Sequence, residues 1–346
     1  MPRLVLAGAL AFGVVASSVM AGPLVDRPLV IAHRGASQYL PEHTMEAYRL
    51  AVAMGADFIE PDLFITQDGV LVARHDRSLN ATTNIVSVAA TNPALFAKGT
   101  GSGASRQYNI DNLTYDDILL VSARSRGTSG YAVPPNAYYT GSERFVVPRF
   151  TDVLDYVFDL WRETGKVVGV YPEVKTISGQ PAYNRSIADA MLAALADPRY
   201  EGLFDGSRNH VFLQSFDLSI IQHLAERTTL PLVFLTGICP TAAQLGQIAE
   251  VAQGIGVSVA NVNQACVDRV HEAGLLIHVY TLSNANPSLH ETVYALGVDG
   301  IFSNAPDTAK RFRDALYPEP VSEPTSLALF GLALLGLARF RRRPAA

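Results

Sequence analysis

Along residues 28–316 the chain alternates short runs of apolar, β-branched and aromatic residues with longer stretches whose apolar positions recur at helical spacing. The short runs predict strands at 29–33, 57–63, 70–75, 167–173, 210–215, 232–236, 256–260, 276–281 and 300–303. Helices are predicted at 42–55, 151–164, 183–196, 218–227, 241–254, 266–273, 288–296 and 307–316. Strand followed by helix, repeated, is the pattern of parallel strands joined by crossover helices. Its economical closed form is the α/β TIM barrel, (β/α)8, which needs one strand fewer than the nine predicted here. The surplus falls in the second and third runs, because residues 64–69 between them are too few for a crossover helix.

One segment resists this reading. Residues 78–148 are rich in Gly, Ser, Asn and Tyr and show little periodicity apart from 115–120, so they are read as one long loop insertion. Such segments in a compact domain usually serve as a lid or a binding loop. Trp161 lies on the amphipathic 151–164 helix and is expected in the core.

Neither end fits the barrel. At 1–21, Arg3 precedes an apolar stretch at 4–15 and a small-residue run ending at Ala21, the layout of a cleaved secretory signal peptide. At 318–346, Pro318, Pro320 and Pro324 lead into an apolar segment at 326–338 and then Arg339, Arg341, Arg342 and Arg343. Those arginines are expected to stay on the cytoplasmic side while the apolar segment rests in the bilayer. The folded domain is thus expected at 22–317.

Composition narrows the classes further. The chain has 346 residues, 27 Lys plus Arg against 32 Asp plus Glu, and 49% hydrophobic residues, which excludes disorder and gives no electrostatic footprint for nucleic acid. Removal of the leader and a cut near Pro324 take Arg3 and the four terminal arginines but no acid, so the formal charge falls from −5 to about −10. Cations within any phosphate site then matter more. Cys239 and Cys266 are too few for a zinc site or a disulfide scaffold. Both follow predicted strands near one rim, where an oxidising compartment allows a single bond.

The candidate chemistry gathers at strand ends. His33-Arg34 closes the first strand, and Glu60 and Asp62, at i and i+2 on the next, point to one face. His75-Asp76 closes the third run, and Glu173 and Lys175 share a face after the insertion. The carboxyl ends of strands form the rim where barrel enzymes place catalytic groups. Glu60, Asp62 and Glu173 offer hard oxygen ligands, which suit one divalent cation, Ca²⁺ or Mg²⁺, better than zinc. With Arg34 and Lys175 beside them and His33 and His75 free to move protons, the set suits phosphoryl chemistry. Gln214, Phe216 and Tyr280 face the same mouth, as substrate contacts or as ordinary packing. His43 and His271 are read as turn or surface residues, His210 and His278 as strand residues, and His223 and His290 as helix-face residues.

At this point the sequence resembles the glycerophosphodiester phosphodiesterases, in particular their secreted bacterial branch. His33-Arg34-Gly35-Ala36-Ser37, Pro41-Glu42-His43-Thr44, Glu60 and Asp62 with Thr66, Asp68 and Gly69, His75-Asp76, Tyr171 to Lys175, Gln214-Ser215-Phe216 and Val279-Tyr280-Thr281 occur in the family's order. The resemblance implies a (β/α)8 barrel that hydrolyses glycerophosphodiesters to glycerol 3-phosphate and an alcohol. It implies a metal on Glu60, Asp62 and Glu173, Arg34 and Lys175 on the phosphate, and His33 and His75 as the acid–base pair, leaning to His33 as base. Pro61 departs from the family pattern by placing a proline, which lacks an N–H, inside a barrel strand, and Pro172 raises the same question beside Glu173. The C-terminal segment resembles the PEP-CTERM sorting tail of Gram-negative bacteria, which implies export to the periplasm or cell surface and a sorting protease as partner.

Two other readings remain beside this one. The same site would also serve lysophospholipids or glycerol-phosphate polymers, or the barrel would be a surface-displayed protein without turnover. Product identity separates the first two.

Overall fold

The computed structural model describes residues 27–126, 143–204 and 210–319; the expected leader and nearly all of the C-terminal tail lie outside them. The strands are β1 Leu29–His33, β2 Phe58–Glu60, β3 Asp62–Ile65, β4 Leu71–Ala73, β5 Gly169–Val170, β6 Glu173–Val174, β7 Leu213–Ser215, β8 Leu232–Thr236, β9 Gly254–Ser258, β10 Leu276–Leu282 and β11 Gly300–Ser303. They form one curled α/β sheet in the order β4-β3-β6-β7-β8-β9-β10-β11-β1-β2-β5. The β3–β4 pair is antiparallel and is the hairpin expected from the short 64–69 connection. The other neighbours run parallel with mostly amphipathic helices between them, which is why β1 is buried along its whole length.

Two predicted strands are split, each at a proline. The 57–63 run becomes β2 and β3 around Pro61, and the 167–173 run becomes β5 and β6 around Tyr171 and Pro172. β2 pairs with β5, and β3 with β6, in step: Ile59 faces Val170 and Asp62 faces Glu173. The ladder crosses the break through groups that proline keeps. Pro61 O accepts the Glu173 N–H at 2.9 Å, and Pro172 O accepts the Gln214 N–H at 3.1 Å. Neither proline is asked for the donor it lacks.

The helices also start and stop where local chemistry dictates. The 42–55 prediction shortens to Met45–Ala53, because the Thr44 hydroxyl accepts the Ala47 N–H and caps the helix there. Glu42 and His43 are thereby left in the turn before it. Phe150–Thr164 ends at Gly165 in the left-handed conformation (φ 72°), and Trp161 on that helix packs against the core while staying partly exposed. His210 precedes β7 rather than lying within it.

The insertion is not structureless. It carries helices at Ile85–Ala89, Pro93–Lys98 and Tyr115–Leu119. Each is five or six residues long; the first two are too short to leave a periodic trace, the third is the periodic stretch read at 115–120, and the last two are set by side-chain caps from Asn92 and Thr114. Among the described residues no helix is long and apolar enough to cross a membrane.

Inside the curl of the sheet, Leu29, Ile31, Phe58, Tyr171, Phe212, Val233, Leu235 and Phe302 make a buried apolar cluster. Tyr171 stacks on Phe212 with ring centroids 5.0 Å apart, and its hydroxyl meets His278 Nδ1 at 2.8 Å. Leu235 and Phe302 also line the floor of the cavity described next, so the packed interior is the base on which the site stands.

Candidate active site

A cavity of about 200 Å³ opens at the carboxyl ends of the strands. His33, Arg34, Glu60, His75, Glu173, Lys175, Gln214, Phe216 and Tyr280 line it, and Asp62 lies buried beside Glu60 and Glu173. The structure therefore brings together every residue singled out from the sequence as site-forming.

The first turn of the site is made by strained backbone. Arg34 and Gly35 both take positive φ, 60° and 84°, and a Cβ on Gly35 would lie 2.8 Å from the Ala47 carbonyl carbon. This turn aims the Arg34 N–H at Glu60 Oε2, 2.8 Å away, while its guanidinium Nε lies 3.4 Å from Asp62 Oδ2. One residue thus touches two of the three acids, by its backbone and by its side chain.

Glu60, Asp62 and Glu173 each offer an oxygen within 4.8 Å of the other two. Lys175 Nζ sits 2.8 Å from Glu173 Oε1 and 3.6 Å from Asp62 Oδ1. Burial, the charge of Asp62 and that of Glu173 push the Glu60 carboxyl well above its ordinary value. Burial likewise lifts Glu173 to about 8, against the pull of Lys175 and with the help of Asp62. Burial would raise Asp62 too, but Lys175, His75 and the His43 hydrogen bond hold it well below the carboxylate range. The local cations therefore do not satisfy all three acids.

Three buried polar atoms at this spot, Arg34 Nε, Asp62 Oδ1 and Gln214 Oε1, have no hydrogen-bond partner among the described residues. Native proteins seldom leave such groups unpaired. Converging carboxylate oxygens, an orphaned one among them, and a local excess of negative charge fit a hard divalent cation.

The two imidazoles are held differently. His33 Nδ1 lies 2.7 Å from Asn304 Oδ1, whereas His75 Nδ1 lies 2.7 Å from the carboxylate of Asp76. Burial first, and then the charge of Arg34, keeps the His33 imidazole well below the usual histidine range and so neutral. Burial would raise Asp76, but its hydrogen bonds to His75 and Arg126 bring it down to about 2.

A model of the glycerophosphoryl diester phosphodiesterase family matches residues 33–308. The chain belongs to this family. A glycerophosphodiester phosphodiesterase of Bacillus subtilis (strain 168) is 32% identical over 287 residues, covering 82% of this chain and 85% of its own. Solved structures of the same fold include a glycerophosphodiester phosphodiesterase from Agrobacterium tumefaciens str. C58, with TM-score 0.55 and 23% identity over 82% of this chain and 99% of that one. Another is an Oleispira antarctica phosphodiesterase in complex with the product sn-glycerol-3-phosphate, with TM-score 0.62 and 20% identity over 83% and 97% of the two chains. Residues 320–343 match the PEP-CTERM protein-sorting motif.

In this glycerophosphoryl diester phosphodiesterase family member, several site residues escaped the sequence reading. His43 does sit in a turn, as expected, but it is fully buried rather than at the surface. Burial lowers it to about 4, so the neutral ring donates from Nε2 to Asp62 Oδ2 at 2.7 Å and accepts at Nδ1 from the Tyr48 hydroxyl, also at 2.7 Å. Its place in the Pro41–Thr44 motif was the available signal. Asn304 lies far along the chain from His33 and gave none. Arg126 comes from the aperiodic insertion and bridges Glu42 and Asp76.

Proposed function

We propose that the protein hydrolyses glycerophosphodiesters to sn-glycerol 3-phosphate and an alcohol, in a metal-dependent reaction with His33 and His75 moving the protons. The observation that carries this reading is the meeting, in one cavity, of three buried carboxylates, two cationic side chains and two differently backed imidazoles. The curled sheet supports reading the fold as a closed (β/α)8 barrel. Counting β2 with β3 and β5 with β6, and leaving out the hairpin strand β4, gives the required eight parallel strands.

Glu60, Asp62 and Glu173 would hold one divalent cation, Ca²⁺ or Mg²⁺, which supplies positive charge to the non-bridging phosphate oxygens. Arg34 and Lys175 bind those oxygens from the sides of the cavity, and as bulky cations they also orient the diester. His33, neutral and donating from Nδ1 to Asn304, presents Nε2 to take the proton of the attacking oxygen, from water or from the glycerol hydroxyl next to the ester. His75 gives a proton to the departing alkoxide as its bond to phosphorus breaks. The Asp76 carboxylate behind the ring holds its Nδ1–H and so orients Nε2 for that transfer. Gln214 steadies Glu60, with its Nε2 3.3 Å from Oε1.

A second reading of the substrate rests on the mouth. Phe216 is 47% exposed and meets Tyr280 edge-on, with centroids 5.6 Å apart. An apolar side chain held open to solvent at the entrance favours diesters that carry an apolar group, such as lysophospholipids with their acyl chain on the glycerol.

The leader at 1–21 and the PEP-CTERM match support an exported protein of the periplasm or cell surface, held for a time by its tail and released by a sorting protease. The deciding experiment incubates the purified protein with glycerophosphocholine and a lysophospholipid, in Ca²⁺, Mg²⁺ or chelator, and measures glycerol 3-phosphate from the first and lysophosphatidic acid from the second. Metal-dependent release from either supports the function and ranks the two substrates; no release from both with metal bound sinks it.

A further inference from the structure

We infer that Arg126, carried by the insertion, is a positioning residue for both His75 and Arg34, so that the insertion takes part in catalysis through side chains of the sheet. This rests on the proton-donor role given to His75 above.

The geometry is that of a two-sided clamp. Arg126 NH1 donates to Asp76 Oδ2 at 2.7 Å, while the other oxygen of the same carboxylate, Oδ1, accepts from His75 Nδ1–H at 2.7 Å. The rest of the guanidinium turns away from Asp76. Nε donates to Glu42 Oε2 at 3.0 Å and NH2 to Glu42 Oε1 at 2.6 Å, a planar fork on a carboxylate. Glu42 Oε1 in turn lies 3.3 Å from Arg34 NH1. One guanidinium thus fixes the acid that orients the proton donor and the acid that braces a phosphate-binding arginine.

Neither acid is well placed without it. Glu42 is buried, and burial alone would raise it; Arg34, Arg126 and Arg74 together hold it well below the carboxylate range. Asp76 is partly exposed, and with Oδ2 released its carboxylate can turn and draw the His75 ring away from the cavity. The insertion has other anchors, including the paired bonds of Arg77 to Asp111 and the Gln67 N–H donated to the Leu113 carbonyl at 2.8 Å. Holding the insertion in place is therefore a task already shared, whereas reaching both site carboxylates is particular to Arg126 among the described residues of that segment.

The test compares Arg126→Ala, Arg126→Lys and Asp76→Asn with the parent, all as the full exported domain at saturating Ca²⁺. With glycerophosphocholine, Arg126→Ala should lower kcat by up to about a hundredfold with little change in KM. Arg126→Lys, which keeps a cation without the fork, should fall between. In an Asp76→Asn background, removing Arg126 should cost several-fold less than it does in the parent, because part of its action is already gone. Arg106→Ala, which loosens the insertion around Phe96 and Gly99 without touching the site, should leave kcat as it was. Proton NMR of ¹⁵N-histidine-labelled protein gives a readout that needs no turnover. The downfield Nδ1–H signal of His75, assigned by its loss in His75→Gln, should broaden or vanish in Arg126→Ala. A preserved signal and an undiminished kcat in Arg126→Ala would overturn the inference, as would additive losses in the double variant. Should the parent release no glycerol 3-phosphate, the proposed function fails, and the NMR signal alone then decides whether Arg126 holds His75.

Discussion

His33 Nδ1 lies 2.7 Å from Oδ1 of Asn304, a residue 271 positions further along the chain. An amide oxygen only accepts, so the ring donates there and its other nitrogen is left bare toward the cavity. The neutral partner matters as much as the contact. It fixes the tautomer, and the pull it adds toward the imidazolium is outweighed by burial and the charge of Arg34, which suits a group that must begin unprotonated. Asn304→Asp should therefore raise the proton affinity of His33 and move the acidic limb of the kcat/KM profile to higher pH. A limb that stays where it was in the parent would remove His33 from the role of base.

Deleting either imidazole should be severe. His33→Ala and His75→Ala are each expected to lower kcat by at least about a hundredfold, the usual scale for an acid–base group. Both line the cavity, so their melting temperatures should change little by comparison. Steady-state kinetics beside thermal melts separate the two effects, and retained turnover in either variant removes that residue from the reaction.

Metal binding should release protons. Glu60 and Glu173 sit above their ordinary values while no cation compensates them, Glu173 at about 8, and a divalent ion requires their ionised forms. Affinity for Ca²⁺ should thus rise with pH up to about 8. Calorimetry in buffers of different ionisation enthalpy measures the protons released; none at pH 7 would contradict this assignment. Glu60→Gln should weaken binding by removing a ligand.

The same two acids set the pH dependence of stability in chelator. A carboxyl raised in the folded state binds more protons there than in the unfolded chain, so stability falls as pH climbs from its unfolded value, 4.5, to the folded one, about 8 for Glu173. His33 and His43 are lowered, and their opposite contribution is complete near 6.5. Between about pH 6.5 and 8, melting in chelator should therefore fall with pH, and saturating Ca²⁺ should flatten or reverse that slope. Equal slopes with and without the ion would argue that the acids are not its ligands.

Cys239 and Cys266 are bonded, closing a loop across a sequence separation of 27. A loop of this length corresponds to about 3–4 kcal/mol of lost unfolded-state entropy. Replacing both by serine should lower stability by up to that amount in denaturant melts, and an unchanged midpoint would mean that the bond is not formed.

The chain's own pattern revealed most of this arrangement because the strands of the curled sheet are buried and end in chemistry. Glu60 and Asp62 were readable through the two-residue period of a strand, and the surplus strand through a connection too short to cross over. What stayed hidden depended on contacts between distant positions. Nothing near His33 announces Asn304, and Arg126 lies in a part of the insertion without periodicity or helix. His43 misled for another reason: a turn residue is usually exposed, but this turn folds inward over Asp62. Pro61 and Pro172 read as obstacles to a strand, yet each stands where only its carbonyl is used.

The Cys239–Cys266 bond also dates the finished entrance. Ile238 stands 65% exposed just before the first cysteine, and its carbonyl accepts from Thr236, whose own carbonyl takes the Tyr280 hydroxyl. Thiols join only in oxidising surroundings, so a precursor still inside a reducing cytoplasm would carry this doorway unfastened, and its tightening would follow translocation.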